Sequence, residues 1–151
     1  ILDVTIKLFR RMADLHLKVG KGYFKSSTVE NLFLMSFIDF AGTMKIKYFI
    51  NLQEQVALAI ARNLYNSKNE ELPQETVIDC VGELLNVICG NAYSQVLELG
   101  HAAPITMPES VLHHKKHGII AKKNRQVLVF PASVPAGYLE LGIIWATPET
   151  E

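Results

Sequence analysis

Asp79, Glu83 and Asn86 are spaced four and then three residues apart within the segment DCVGELLNVICG, residues 79–90. At about 100° per residue, these offsets place all three side chains on one narrow stripe of an α-helix. Gly82 and Gly90 fall on the same stripe. Glu83 has the chemistry to pair with a partner's cation or to accept a proton. Asn86 does not titrate, so it is no general base; its carboxamide offers one acceptor and two donors and can orient a water. No nucleophile–base constellation accompanies them. Ser94 is near, but no histidine lies within a turn or two of it on this helix, which argues against a serine hydrolase.

The element that positions these groups is a helix predicted over residues 74–99, with Pro73 suited to its first turn and Gly100 to its end. Its opposite face carries Val77, Val81, Leu84, Ile88, Ala92 and Leu99 at helical spacing. A polar line on an amphipathic helix is ordinarily its solvated face. Three details set this line apart. It is narrow; Val87 borders one flank, with Tyr93 and Leu97 toward the C-terminal end; and the two glycines remove side-chain bulk where another backbone could approach. Such a surface reads as a docking site.

A rival site is the histidine group His113, His114 and His117, which His101 could join in space. Adjacent strand residues point to opposite faces, so His113 and His114 would not chelate together. No cysteine or carboxylate follows at metal-ligand spacing. No GxxxxGK[ST] phosphate loop occurs.

The totals frame these readings. The chain has 151 residues, 49% of them hydrophobic, and 15 basic side chains balance 15 acidic ones. That suits one folded domain over residues 1–151, with neither nucleic acid nor an anionic membrane surface favoured as a partner. No stretch approaches the roughly 20 apolar residues of a membrane span, and no signal peptide is visible, so a cytoplasmic location is expected. Cys80 and Cys89 lie roughly 13 Å apart along the proposed helix and on opposite faces, beyond the roughly 7 Å of a disulfide, and read as free thiols.

The remaining elements follow from periodicity. Residues 1–19 read as a first helix, ended by Gly20 and Gly22. NLFLMSFIDF (31–40) and TMKIKYFI (43–50), punctuated by Ala41-Gly42, read as a hairpin whose second strand has one wet face. Asn51 with Glu54 resembles an N-cap and capping box for a helix through Val56, Ile60 and Leu64. Strands are predicted at 110–114, 118–121, 127–131 and 138–146, the last two separated by Pro131 and Pro135, with Lys122–Arg125 as an exposed turn. This order gives an α+β fold, helices packed on one face of a mainly antiparallel sheet.

On these residues the chain resembles the CheX group of the CheC/CheX/FliY chemotaxis phosphatases. Their signature is Asp or Ser, three residues, Glu, two residues, Asn, then roughly twenty-odd residues and Pro; here Asp79, Glu83, Asn86 and Pro108 stand in that register. VGELLNVICGNA looks like the family's helix. The resemblance extends through VGKGYFK (19–25), the strand pair and VLVFPASVPAGYLELGI (127–143). It implies a phosphatase that removes the aspartyl phosphate of a CheY-like receiver by inserting the helix into the receiver's site. Asn86 would orient the attacking water and Glu83 would contact the receiver's lysine. Asp79, Gly82, Gly90, Tyr93 and Pro108 would contribute to binding. The Mg²⁺ would belong to the receiver, leaving no metal and no cofactor on this chain. CheC-type relatives carry two copies of the signature; the single copy here favours CheX, whose relatives form dimers, so a homodimer is implied. Two other readings stay open: a non-catalytic receiver- or partner-binding domain of the same fold, and a histidine-metal enzyme.

Overall fold

The computed structural model describes residues 1–26, 28–41, 45–66, 71–98, 104–115, 118–119 and 125–146. The elements in order are α1 (Leu2–Ala13), β1 (Lys18–Val19), β2 (Tyr23–Lys25), β3 (Val29–Glu30), β4 (Leu34–Ala41), β5 (Lys45–Leu52), α2 (Glu54–Tyr65), α3 (Gln74–Glu98), β6 (Glu109–Leu112), β7 (Gly118–Ile119), β8 (Arg125–Val134) and β9 (Gly137–Ala146). Seven strands form one antiparallel sheet in the order β1-β8-β9-β5-β4-β6, with β2 also pairing β8. The three helices pack together on one face, as the α+β expectation has it. Leu34, Ile38, Tyr48, Ile50, Leu139 and Leu141 from the sheet meet Phe9, Ile60, Leu84 and Ile88 from the helices in one buried cluster.

The hairpin forms as expected, with Leu34 opposite Leu52 and Ala41 opposite Lys45. Its second strand departs from the expected wet face. Lys45 is exposed, but Phe49 and Asn51 are fully buried. A second apolar cluster explains this: Phe49 packs with Met35, Phe37, Val127, Val129 and Ile144, and Val29 joins them from the separate β3–β7 ribbon. The central sheet therefore has apolar layers on both faces.

Helix α1 is shorter than the predicted 1–19. Asp14 adopts the left-handed conformation (φ 49°, ψ 40°) and its N–H returns to the Phe9 carbonyl, which ends the helix. Beyond it Leu15 and Leu17 are buried two residues apart, an extended pattern that leads into β1. Asn51 is not an N-cap. It ends β5, where its Nδ2 donates to the Glu30 carbonyl (2.7 Å) and to Glu140 Oε1 (2.9 Å), and its Oδ1 accepts the Leu32 N–H (2.9 Å). A buried amide with three good partners is worth more to the fold here than to a helix end. Helix α2 starts one turn's edge later, with Gln53 as N-cap and no side-chain capping bond.

Pro131 does not separate the last two strands. It lies inside β8, opposite Glu140. On its other side the ladder is interrupted between β1 and β2, with only the Gly20 N–H donating to the Pro131 carbonyl (2.7 Å), so the missing proline N–H costs no regular pairing. Pro135 alone occupies the β8–β9 turn. The predicted strand 110–114 ends at Leu112, and His113 and His114 follow it in a turn. Gly42, Met44, Leu99, Gly100, His101, His117 and Lys122–Asn124 lie outside the described residues.

Candidate functional site

Helix α3 is held by its buried side. Val81, Leu84, Leu85, Ile88 and Cys89 are fully buried and Val77 and Ala92 nearly so, against α1, α2 and β4. The first-turn N–H of Val77 reaches the Pro73 carbonyl at 3.2 Å, so the proline opens the helix as predicted. With that side fixed, the remaining stripe faces outward. Asp79, Glu83, Asn86 and Gly90 are all exposed, with Val87 and Tyr93 half-buried beside them. Among the described residues no hydrogen bond or ion pair holds the side chains of Asp79, Glu83 or Asn86. These groups are presented and unspent.

The two glycines of the stripe differ. A Cβ on Gly82 would stand 3.6 Å from Pro108 Cγ, so Pro108 packs directly over that turn of the helix; a Cβ on Gly90 would meet nothing within 4 Å. Gly82 is accordingly buried and Gly90 open. Pro108 is itself held from the sheet. The strip before β6 is stitched to β4 by Ala41 N–H to the Pro104 carbonyl (2.9 Å), Thr106 N–H to the Asp39 carbonyl (3.0 Å) and Asp39 N–H to Thr106 Oγ1 (3.0 Å). Residues 22 positions apart in sequence, Asn86 and Pro108, thus belong to one surface.

Both thiols are free and buried. Burial pushes the Cys89 thiol up to about 12, and burial together with the nearby Asp79 charge raises that of Cys80. Neither is a nucleophile in this state. Ser94 donates back to the Asn91 carbonyl (3.4 Å), a bond internal to the helix. The His113 and His114 rings meet edge-on with centroids 6.3 Å apart, and both residues are exposed. No group of three His, Cys, Asp or Glu side chains able to hold a metal occurs among the described residues. A cavity of about 510 Å³ lies elsewhere, lined by Asp39, Lys45, Lys47, Thr106 and Arg125, and no stripe residue borders it. The stripe is an exposed helix face, an arrangement suited to contact with a partner.

The family described as "Chemotaxis phosphatase CheX" matches residues 34–133, about two thirds of the sequence, including α3 and Pro108. The chain belongs to the CheX family. Solved CheX-like structures share its fold throughout. A CheX chemotaxis protein from Desulfovibrio desulfuricans superposes with a TM-score of 0.82 at 18% identity, covering 95% of each chain. A CheC-like superfamily protein from a Shewanella species gives 0.80 at 28% identity, over 97% of this chain and 94% of that one. The CheX of a CheX–CheY–BeF₃–Mg²⁺ complex from Borrelia burgdorferi gives 0.77 at 23% identity, over 97% and 95%. No curated protein sequence matches the chain. No helix among the described residues is long and apolar enough to cross a membrane.

Proposed function

We propose that this CheX-family chain is an aspartyl-phosphate phosphatase whose substrate is a phosphorylated CheY-like receiver. The observation that carries this reading is the outward stripe of α3: Glu83 and Asn86 are exposed, with side chains that no hydrogen bond or ion pair holds among the described residues, within a turn of the point where Pro108 packs on Gly82. A carboxamide and a carboxylate so exposed on a helix face have little to do in the isolated chain. Inserted at a receiver's phosphorylated aspartate, they supply what such a site lacks.

Hydrolysis of an acyl phosphate needs positioning and charge neutralisation more than covalent chemistry. The receiver provides its own lysine and Mg²⁺, so no metal or cofactor is asked of this chain. Asn86 orients a water in line with the aspartyl C–O–P bond. The water oxygen bonds to phosphorus, the bond from phosphorus to the aspartyl oxygen breaks, and free carboxylate and inorganic phosphate leave. Glu83 reaches the receiver's lysine and fixes the register of the two proteins. Gly90 leaves room for the receiver's backbone, and Asp79 and Tyr93 border the contact. Orientation of this kind is worth several orders of magnitude, with effective molarities of about 10⁵–10⁸ M as a ceiling. The resemblance to CheX relatives also makes a homodimer the proposed assembly.

The test is phosphate release from a phosphorylated receiver of the same organism, with wild type and Asn86→Ala. The variant loses about a hundredfold or more of the acceleration while its thermal midpoint stays put, because the Asn86 side chain is exposed and makes no hydrogen bond among the described residues. Undiminished turnover in Asn86→Ala would remove that residue from the mechanism. A wild type that binds the receiver without accelerating dephosphorylation would instead establish the non-catalytic binding domain.

A further inference from the structure

Met107 is 79% exposed. An apolar side chain in water on a loose loop would carry little information, but the backbone here is fixed on both sides. Thr106 is bonded to Asp39 through both its N–H and its Oγ1, Ile105 bridges to Phe40, and Pro108 is packed on Gly82. β6 then begins at once, with Glu109 opposite Phe37. Met107 is therefore held out by the sheet edge, next to the residue that touches the α3 stripe. At the other end of that stripe, Tyr93 is half-buried and Leu97 is 43% exposed. Met107 thus adjoins the Pro108–Gly82 contact one residue before Glu83 on α3, and Tyr93 and Leu97 follow Asn86 on the same helix.

Polar contacts of the Glu83 and Asn86 kind set register and discriminate partners, but yield limited affinity because each must be desolvated. Affinity at a protein interface is concentrated in a few well-packed side chains. A methionine suits that task, since its unbranched thioether adapts to an irregular surface. We propose that Met107 is an affinity- and specificity-determining contact for the phosphorylated receiver, docking on an apolar patch beside the receiver's anionic phosphoryl site. This rests on the phosphatase reading of the same stripe.

The experiment uses Met107→Ser and Met107→Leu in the full chain, with the organism's CheY-like receivers. Turnover is followed on the phosphorylated receiver, and binding on the receiver held active by beryllofluoride and Mg²⁺. Met107→Ser raises KM and the dissociation constant about tenfold with kcat within about twofold of wild type, and Met107→Leu restores most of the affinity. Adding Met107→Ser to Asn86→Ala weakens binding by the same factor, which separates docking from chemistry. Equal KM and equal binding for wild type and Met107→Ser would overturn the proposal while leaving the phosphatase reading intact. A wild type that does not accelerate hydrolysis overturns the phosphatase reading; a loss of binding in Met107→Ser would then still place Met107 in the contact. An unchanged thermal midpoint in both variants shows that the effect is not one of folding.

Discussion

Glu83 and Asn86 are the residues on which the proposed chemistry turns, and their common exposed face was readable from sequence because helical geometry is so regular. Offsets of four and three residues fix a common face before any tertiary contact is known. The contact of Pro108 with Gly82 was less accessible, since it depends on how the strip before β6 is stitched to β4. Met107 gave no periodic signal at all; its exposure follows from bonds made by its neighbours. The residue scale also isolates the role of charge. Glu83 is exposed and takes part in no ion pair among the described residues, so Glu83→Gln leaves stability within about 0.5 kcal/mol. Its loss is felt only against a partner's cation, where a charge pair taken out of water contributes strongly. The expected outcome is a fall of at least about tenfold in kcat/KM for the phosphorylated receiver, with an unchanged urea midpoint. Equal kcat/KM would show that the carboxylate makes no such pair.

At the scale of elements, legibility tracked length and regularity. The 25 residues of α3 and the paired eight-residue strands β4 and β5 stand close to their predicted bounds, because many periods of apolar spacing agree. Failures came where one local bond outweighed a pattern. The left-handed Asp14 cut α1 short, and the network of Asn51 with Glu30, Leu32 and Glu140 took that residue from a helix cap into a strand end. Strands β1 to β3 have two or three residues each, too few for any period to show. The same substitution at two glycines separates helix from sheet. On α3, Gly90→Ala meets open space and removes backbone freedom from the unfolded chain, so it stabilises by about 0.5–1 kcal/mol. On β9, an alanine at Gly142 would overlap the buried Phe49 ring, and Gly142→Ala destabilises by about 1–3 kcal/mol. Denaturant unfolding of the two variants checks both signs; a stabilised Gly142→Ala would mean that the Phe49 ring has room to move.

Across the whole molecule, the α+β arrangement was legible in the order of elements, and the helices do share one face of the sheet. The apolar layer on the other face was not legible. It gathers Met35, Phe37, Phe49, Val127, Val129 and Ile144 from four strands, with Val29 of the short β3–β7 ribbon, a segment with no pattern of its own. The centre of the sheet is dry, and the helix-side core contains weak acids, Tyr48 and Cys89 the most deeply buried of them. The Tyr48 phenol is fully buried, with its oxygen 2.7 Å from Thr5 Oγ1, and burial raises its pKa well above the ordinary value. Cys89 lies in the same cluster, its thiol raised by burial from 9.0 to about 12. An acid whose pKa is raised on folding stabilises the chain fully below its unfolded pKa, and that contribution is lost as pH climbs toward the folded value. For Cys89 the loss therefore begins near pH 9, before that of Tyr48. At pH 10 it amounts to about 1.4 kcal/mol relative to pH 8. Cys89→Ala pays a cavity cost at both pH values but has no thiol to ionise. Its unfolding free energy should thus fall by about 1.4 kcal/mol less than that of wild type between pH 8 and pH 10. Urea titrations at the two pH values measure the difference, and parallel losses in the two proteins would show that the Cys89 thiol ionises in the folded chain as readily as in the unfolded one.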